Sequence, residues 1–360
     1  MKKDYLLIVG VIFISLFGLL MIYSSSYIWA EYKFNDPYKF ARTQMIFLII
    51  GYILMFLISN FDYNKYLEKS NLIFLGCLLL LILVLIPGIG TVRNGSRSWF
   101  GIGGFGIQPS EFTKLALIIF TSKYLVNNEK KIKDIKKGVL PILLVLMLVF
   151  GLIMLQPDFG TGVIIVITII VLLFISGVPM GFFIKIGILG ILGVVGLIIA
   201  APYRMKRIVS FLNPWNDPLG SGFQIIQSLY AIGPSGLLGK GLGNSIQKHF
   251  YLPEPQTDFI FAIISEELGI VGILIVASLF ILIIYRGFNI AINCNDKFGK
   301  YISFDITFCL SFQALLNLMV VVGLIPVTGV TLPFLSYGGS SLLITLCSIG
   351  ILLNISKSQK

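Results

Sequence analysis

Charge is scarce in this chain. Only 12% of its 360 residues are Asp, Glu, Lys or Arg, while 57% are hydrophobic. Mean hydropathy is +0.96. That balance excludes an ordinary soluble domain and is that of a polytopic helical membrane protein. Histidine is nearly absent: His249 stands alone, with no Ser or Cys at a recognisable spacing. This argues against a histidine triad and a histidine-rich metal site. The four cysteines, Cys77, Cys294, Cys309 and Cys347, have neither paired nor metal-ligand spacing, and free thiols are expected. A nucleic-acid surface is lacking too. The net charge is +11, but the lysines lie between apolar spans rather than on one folded face.

What the chain has instead is long apolar runs. The expected fold is an all-α polytopic membrane protein, one membrane domain over residues 1–360 with about ten transmembrane helices. The spans are expected near 5–23, 43–58, 71–87, 109–126, 139–156, 161–177, 181–201, 258–285, 302–323 and 338–355. Met1-Lys-Lys precedes about 18 apolar residues, longer than the roughly 7–15 of a signal-peptide core, so a retained first helix is expected. In the seventh span Gly187, Gly190, Gly193 and Gly196 recur at every third position, a pattern that predicts close helix packing.

Lysine and arginine orient the spans. With both termini cytoplasmic, the inner connections hold Lys2, Lys3, Lys65, Lys69, Lys123, the lysine-rich 129–137 segment, Lys185, Arg286, Lys297, Lys300, Lys357 and Lys360. The short outer loops hold Lys33, Lys39, Arg42, Arg93 and Arg97. The longest connection, about 202–257, then lies outside, between the seventh and eighth spans. Its segments 202–212 and 223–232 mix polar and apolar residues at helical spacing, as interfacial helices do. Its glycine-rich run 236–244 fails the phosphate-loop spacing, since Gly follows Lys240, and reads as a flexible turn.

Three proline-broken corners then share the outer face. Gln108-Pro-Ser-Glu111 opens the fourth span, Gln156-Pro-Asp158 closes the fifth, and Glu254-Pro-Gln-Thr-Asp258 opens the eighth. Irregular backbone at membrane depth is tolerated where it lines protein or a watery cavity. Lys114 follows Glu111 by three residues and can pair with it. Thr257 is placed to cap the eighth helix, with Asp258 in its first turn. At 100° per residue, Ser265 shares nearly the face of Asp258. Glu266 and Glu267 then lie about 12–13 Å deeper, away from its site and placed for inter-helix hydrogen bonding. A carboxylate at a helix N-terminus suits a general base. The outer cations Arg42, Arg97, Arg204, Lys206 and Arg207 are suited to hold phosphate. These features describe a site at the outer leaflet, with an acid to take a proton and cations to hold an anionic lipid.

The same segments carry a resemblance. Gly106-Ile-Gln-Pro-Ser-Glu-Phe-Thr-Lys114, Gln156-Pro-Asp-Phe-Gly-Thr-Gly162, Tyr251-Leu-Pro-Glu-Pro-Gln-Thr-Asp-Phe-Ile-Phe261 and Pro333-Phe-Leu-Ser-Tyr-Gly-Gly-Ser-Ser341 resemble the SEDS family (shape, elongation, division and sporulation; FtsW, RodA, SpoVE). Val92–Trp99, Leu212–Ile226 and the short C-terminus look most like the SpoVE and FtsW branch. The resemblance implies ten transmembrane helices in the bacterial cytoplasmic membrane and peptidoglycan glycosyltransferase activity. It implies lipid II as substrate, polymerised outside the membrane onto a glycan on undecaprenyl pyrophosphate, and a class B penicillin-binding protein as partner. It places the family's essential acid on Asp258 and its cavity residues on Glu111, Lys114 and Asp158. It also implies dependence on a divalent cation such as Mg²⁺, with no ligand set assignable here. Two rival readings suit a polytopic chain: a lipid II flippase, or a non-catalytic scaffold for the penicillin-binding protein. A flippase predicts polar residues through the whole membrane depth. Here the acids gather near one end, with Glu266, Glu267, Gln313 and Asn317 read as deeper.

Overall fold

A computed structural model describes residues 4–93, 95–102, 105–199, 205, 209, 211–220 and 222–358. Its helices are α1 (Tyr5–Phe34), α2 (Lys39–Ser59), α3 (Asn64–Leu83), α4 (Pro109–Asn127), α5 (Leu140–Met154), α6 (Phe159–Ile175), α7 (Met180–Ile199), α8 (Phe223–Ile232), α9 (Ile260–Ile292), α10 (Lys297–Val321) and α11 (Gly339–Ser356). Each of the ten expected spans falls on one of these helices, α8 being the extra one. Seven are long and apolar enough to cross a membrane; α4, α6 and α7 are not counted among them.

Local chemistry sets the helix starts. Asp4, Asp158 and Asp296 cap α1, α6 and α10 by accepting from backbone N–H groups, and Pro109 opens α4 where its missing N–H costs nothing. Asp4 N–H also donates to Ser356 Oγ at 3.3 Å, so the beginning of α1 and the end of α11 share one face of the bundle. We call it the terminal face and its opposite the distal face.

The bundle has two cores. One gathers Leu7, Ile14, Met21, Phe47, Ile283, Leu310 and Ile349 from α1, α2, α9, α10 and α11. The other gathers Phe74, Leu117, Ile142, Ile153 and Leu172 from α3 to α6. Helices α4 and α6 give residues to both, so they form the seam. By contrast, a Cβ at Gly187, Gly190, Gly193 or Gly196 of α7 would meet nothing within 4 Å. Among the described residues that glycine row packs against no other helix, contrary to the sequence expectation.

Two further departures lie on the distal side. The connection from α3 to α4 holds a small antiparallel sheet, β1 (Thr91–Arg93), β2 (Ser96–Ile102) and β3 (Phe105–Ile107), in an otherwise all-α fold. The second is a break in α9 at Gly269, where φ is 61° and ψ is −151°. A Cβ on Gly287 would strike the Thr307 side chain, which sets the register of α9 against α10. Asp258 and Asn317 also touch. Gly287 to Asp258 is about 43 Å along a straight helix, but Thr307 to Asn317 is only about 15 Å. The segment before Gly269 must therefore double back into the bundle.

Candidate functional site

The fold-back is built by the glycine-rich run expected as a flexible turn. It is instead wedged into the break. Ile270 and Val271 N–H donate to the carbonyls of Gly236 and Leu237 at 3.1 and 3.2 Å, and Lys240 and Gly241 N–H donate to those of Glu266 and Glu267 at 2.9 Å each. Backbone groups orphaned by the break thus find partners. Gly239 and Gly269 meet so closely that a Cβ on either would strike the other strand.

Glu266 and Glu267 lock the wedge. Glu266 accepts from Lys240 Nζ at 2.6 Å, from Ile246 and Gln247 N–H, and from Ser245 Oγ at 2.5 Å. Glu267 accepts from Lys248 Nζ at 2.8 Å, from Ser24 Oγ of α1 at 2.6 Å and from Gly243 N–H at 2.9 Å. The Lys248–Glu267 pair is fully buried. These glutamates therefore lie nearer the distal face than Asp258, reversing the depth order expected from a straight helix. They bind mainly a loop rather than a neighbouring helix.

Asp258 itself sits just before the helix, which starts at Ile260, and is half-buried. Thr257 does not cap; its hydroxyl donates to the Glu254 carbonyl at 2.8 Å. Asn317 Nδ2 of α10 holds both the Asp258 carbonyl, at 2.8 Å, and that of Val330, at 2.7 Å. The 322–338 connection also dips into the bundle, since a Cβ on Gly18 of α1 would hit Phe334 and Leu335. Ser336 Oγ donates to the Thr257 carbonyl at 2.7 Å, and Tyr337 N–H to the Gln256 carbonyl at 2.8 Å. Two irregular segments thus meet inside protein, where their backbone can be satisfied. Asp258 Oδ2 faces the turn at Gly329, 3.7 Å from where a Cβ there would lie.

The other acids reach the same turn from the seam. Lys114 Nζ donates to Glu111 Oε2 at 3.0 Å and to Gln313 Oε1 at 2.7 Å, and Gln313 Nε2 donates to the Thr331 carbonyl. Both ions are buried and neutralise each other. Asp158 accepts from Gln108 Nε2 at 2.9 Å, Ser110 Oγ at 3.4 Å and Thr161 N–H at 3.2 Å. Burial pushes its carboxyl above the ordinary carboxylate range, opposed by the Thr161 hydrogen bonds. Next to it, Gly160 is packed on Thr328 and Val330. Asp158, the Glu111–Lys114 pair and Asp258 therefore surround one stretch of backbone, 328–331. Below Lys114 lies a cavity of about 30 Å³ lined also by Gln313, Cys309 and Pro333.

Not every sequence candidate joins this group. Arg42 is exposed and paired with Asp36 at 2.7 Å. Arg97 sits on β2 and donates to the Leu85 carbonyl at 3.5 Å. The Ser265 hydroxyl donates to the Phe261 carbonyl within its own helix. Arg204 and Arg207, with Lys206, lie outside the described residues. Among the described residues no three His, Cys, Asp or Glu gather as a metal would need. Glu111 and Asp158 already have partners, so a resident divalent cage does not fit here.

Sequence reasoning missed Gln44 and Ser336, which bind loop backbone by side chains. Gln44 Oε1 accepts from Gly338 N–H at 3.2 Å, and Gln44 Nε2 donates to the Ser336 carbonyl at 3.3 Å. It also missed Asp305, whose signal was plain: a lone carboxylate in an apolar span.

Comparison with known proteins fits this architecture. Residues 4–360 match the family described as cell cycle protein, FtsW/RodA/SpoVE. The chain belongs to the FtsW/RodA/SpoVE family. Stage V sporulation protein E of Bacillus subtilis is 53% identical over 359 residues, covering 100% of this chain and 98% of that protein. A probable peptidoglycan glycosyltransferase FtsW of Geobacter sulfurreducens is 40% identical, covering 100% and 96%. Among solved structures, a chain of a peptidoglycan synthase complex superposes with a TM-score of 0.81 at 31% identity, covering 99% of this chain and 98% of that one. Rod shape determining protein RodA of Thermus thermophilus superposes at 0.74 with 27% identity, covering 100% and 98%. The fold-back and the loop at 328–331 are thus features of an FtsW/RodA/SpoVE chain.

Proposed function

We propose that this protein is a peptidoglycan glycosyltransferase of the cytoplasmic membrane that polymerises lipid II, serving division or spore-cortex synthesis. The observation that carries the reading is Asp258: a half-buried carboxylate on irregular backbone, held by Asn317, beside a second loop that also enters the bundle. The distal face is the outer one on this reading, because the connections of the terminal face hold most of the lysines.

The donor is a glycan on undecaprenyl pyrophosphate, and the acceptor is the sugar 4-hydroxyl of an incoming lipid II. Asp258 takes the hydroxyl proton as the oxygen attacks the anomeric carbon. The bond from that carbon to the pyrophosphate oxygen breaks, and the pyrophosphate leaves with the electron pair. A divalent cation such as Mg²⁺, carried by the pyrophosphate, would supply charge stabilisation to the leaving group; no cluster of described His, Cys, Asp or Glu residues would hold it. A class B penicillin-binding protein crosslinks the product.

One general base contributes roughly 10²–10⁴-fold. Purified Asp258→Asn protein with its partner is therefore expected to lose polymerisation of lipid II by about that factor, with thermal stability and partner binding kept. Normal polymerisation by Asp258→Asn overturns the assignment. Lipid transport without polymer by the wild type favours a flippase, and neither activity favours a scaffold.

A further inference from the structure

The connection between α4 and α5 carries Lys130, Lys131, Lys133, Lys136 and Lys137, all exposed. It is a built loop rather than a slack one. Ile132 is buried in the second core and pins its middle. A Cβ on Gly138 would lie 2.1 Å from the Lys131 carbonyl oxygen, so the loop closes back on itself there. Asp134 Oδ1 accepts from the backbone N–H groups of Lys136 and Lys137 at 3.0 and 3.4 Å. It thereby opens a wide π-type turn, Ile135–Val139, that leads directly into α5. The Tyr124 hydroxyl of α4 donates to the Lys137 carbonyl at 3.3 Å and ties the loop to the helix it leaves. Glu129 pairs with Lys297 at the start of α10. That pair marks the terminal face, because the adjacent Asp296 accepts from the Tyr63 hydroxyl, and Tyr63 N–H donates to Asn354 near the end of α11.

Five like charges are thus concentrated on one closed loop. Glu129 is cancelled by Lys297 and Asp134 offsets one lysine, which leaves four positive charges uncompensated. Among the described residues no acid pairs with the five ammonium groups. Solvation alone does not call for that concentration, and self-repulsion works against it. Apolar groups are exposed among the lysines: Ile135 is 39% exposed and Leu140 44%. The apolar span that continues into α5 begins at Ile135, so Lys136 and Lys137 stand where headgroups meet the helix. Phosphate-bearing headgroups offer the matching charge at that level, and the acyl boundary beneath them covers Ile135 and Leu140. An acidic protein segment answers the charge but not the apolar groups at membrane depth. We propose that the 130–137 loop is a docking surface for anionic phospholipid headgroups of the leaflet at the terminal face. Bound there, they anchor the ends of α4 and α5 that the loop joins.

The test titrates the purified full-length protein, in neutral detergent, with phosphatidylglycerol or phosphatidylcholine and counts bound lipid by native mass spectrometry. The wild type is expected to retain phosphatidylglycerol about tenfold more tightly, and the preference should fade in high salt during the titration. A lysine at an anionic surface contributes about fivefold. Lys130→Gln/Lys131→Gln and Lys136→Gln/Lys137→Gln each keep three loop lysines. Each pair should weaken phosphatidylglycerol binding by about tenfold and leave phosphatidylcholine unchanged. Lys33→Gln/Lys39→Gln, at the distal ends of α1 and α2, should behave as the wild type. Equal retention of the two lipids overturns the proposal. So does a preference unchanged in both loop variants, or one lost equally in Lys33→Gln/Lys39→Gln, which identifies net charge rather than a site. Binding of polyglutamate without any lipid preference also overturns it and identifies an acidic protein partner instead.

Discussion

Asn317 donates to the backbone carbonyl of Asp258 at 2.8 Å across 59 residues of sequence. The same amide nitrogen holds the Val330 carbonyl at 2.7 Å. One side chain thus joins the fold-back carrying the acid to the loop facing it. Asn317→Ala leaves two carbonyls without this donor, at a cost of about 1–3 kcal/mol. Polymerisation should fall at least tenfold while Tm drops by only a few degrees. Full polymerising activity in Asn317→Ala would show that this bond does not position Asp258.

Gly269 is held at φ 61° and ψ −151°, a region nearly closed to residues with a Cβ, and it faces Gly239 at φ 69°. Gly269→Ala or Gly239→Ala should lower Tm by the equivalent of about 1–3 kcal/mol or more and abolish polymerisation. Gly190→Ala on α7 has open space around it and should be neutral or slightly stabilising. Equal Tm values for the three variants would contradict the wedged-loop geometry.

The Lys248–Glu267 pair is buried on both sides. Lys248→Met leaves Glu267 without its ionic partner and should cost about 3–5 kcal/mol. Adding Glu267→Gln removes the uncompensated charge, so the double variant should recover part of that loss. A Tm-based double-mutant cycle checks this; strictly additive losses would mean the pair is uncoupled.

Asp158 has a carboxyl raised by burial. A carboxyl raised in the folded state favours folding most below its unfolded value, about 3.9. That contribution is lost as pH rises through the folded value. The wild type should therefore lose stability relative to Asp158→Asn as pH rises above about 4. Tm measured for both across pH 4–8 checks the sign: a wild-type Tm that rises relative to that of Asp158→Asn with increasing pH refutes it.

The expected rivals differ in where polar groups should lie. Asp305, Thr121 and Thr168 show that buried polarity extends beyond the distal half. The polymerisation and transport assays on Asp258→Asn separate these readings directly.

The ten helices were legible because each crossing needs its own apolar run, a local property that composition records. The three acidic corners were legible too, since proline and a following helix are adjacent in sequence. The partners of Arg42 and Arg97 were not legible, because a cation's loop fixes its face while its partner is chosen in space. Asp36 and the Leu85 carbonyl claimed them. The small sheet escaped for a similar reason: its strands of three, seven and three residues are stabilised by pairing, not by their own pattern.

The depth of Asp258 was decided by tertiary structure alone. The sequence shows one apolar run from Phe259 to Tyr285, broken only by a few polar residues and glycines. Whether that run goes straight depends on Gly269 meeting Gly239, and on Glu266 and Glu267 binding a loop some 20 residues earlier. By itself the sequence determined that the chain crosses a membrane many times and carries an acid beside the eighth span. Folding determined that the acid points back into the bundle, because only a paired loop can satisfy a helix broken there.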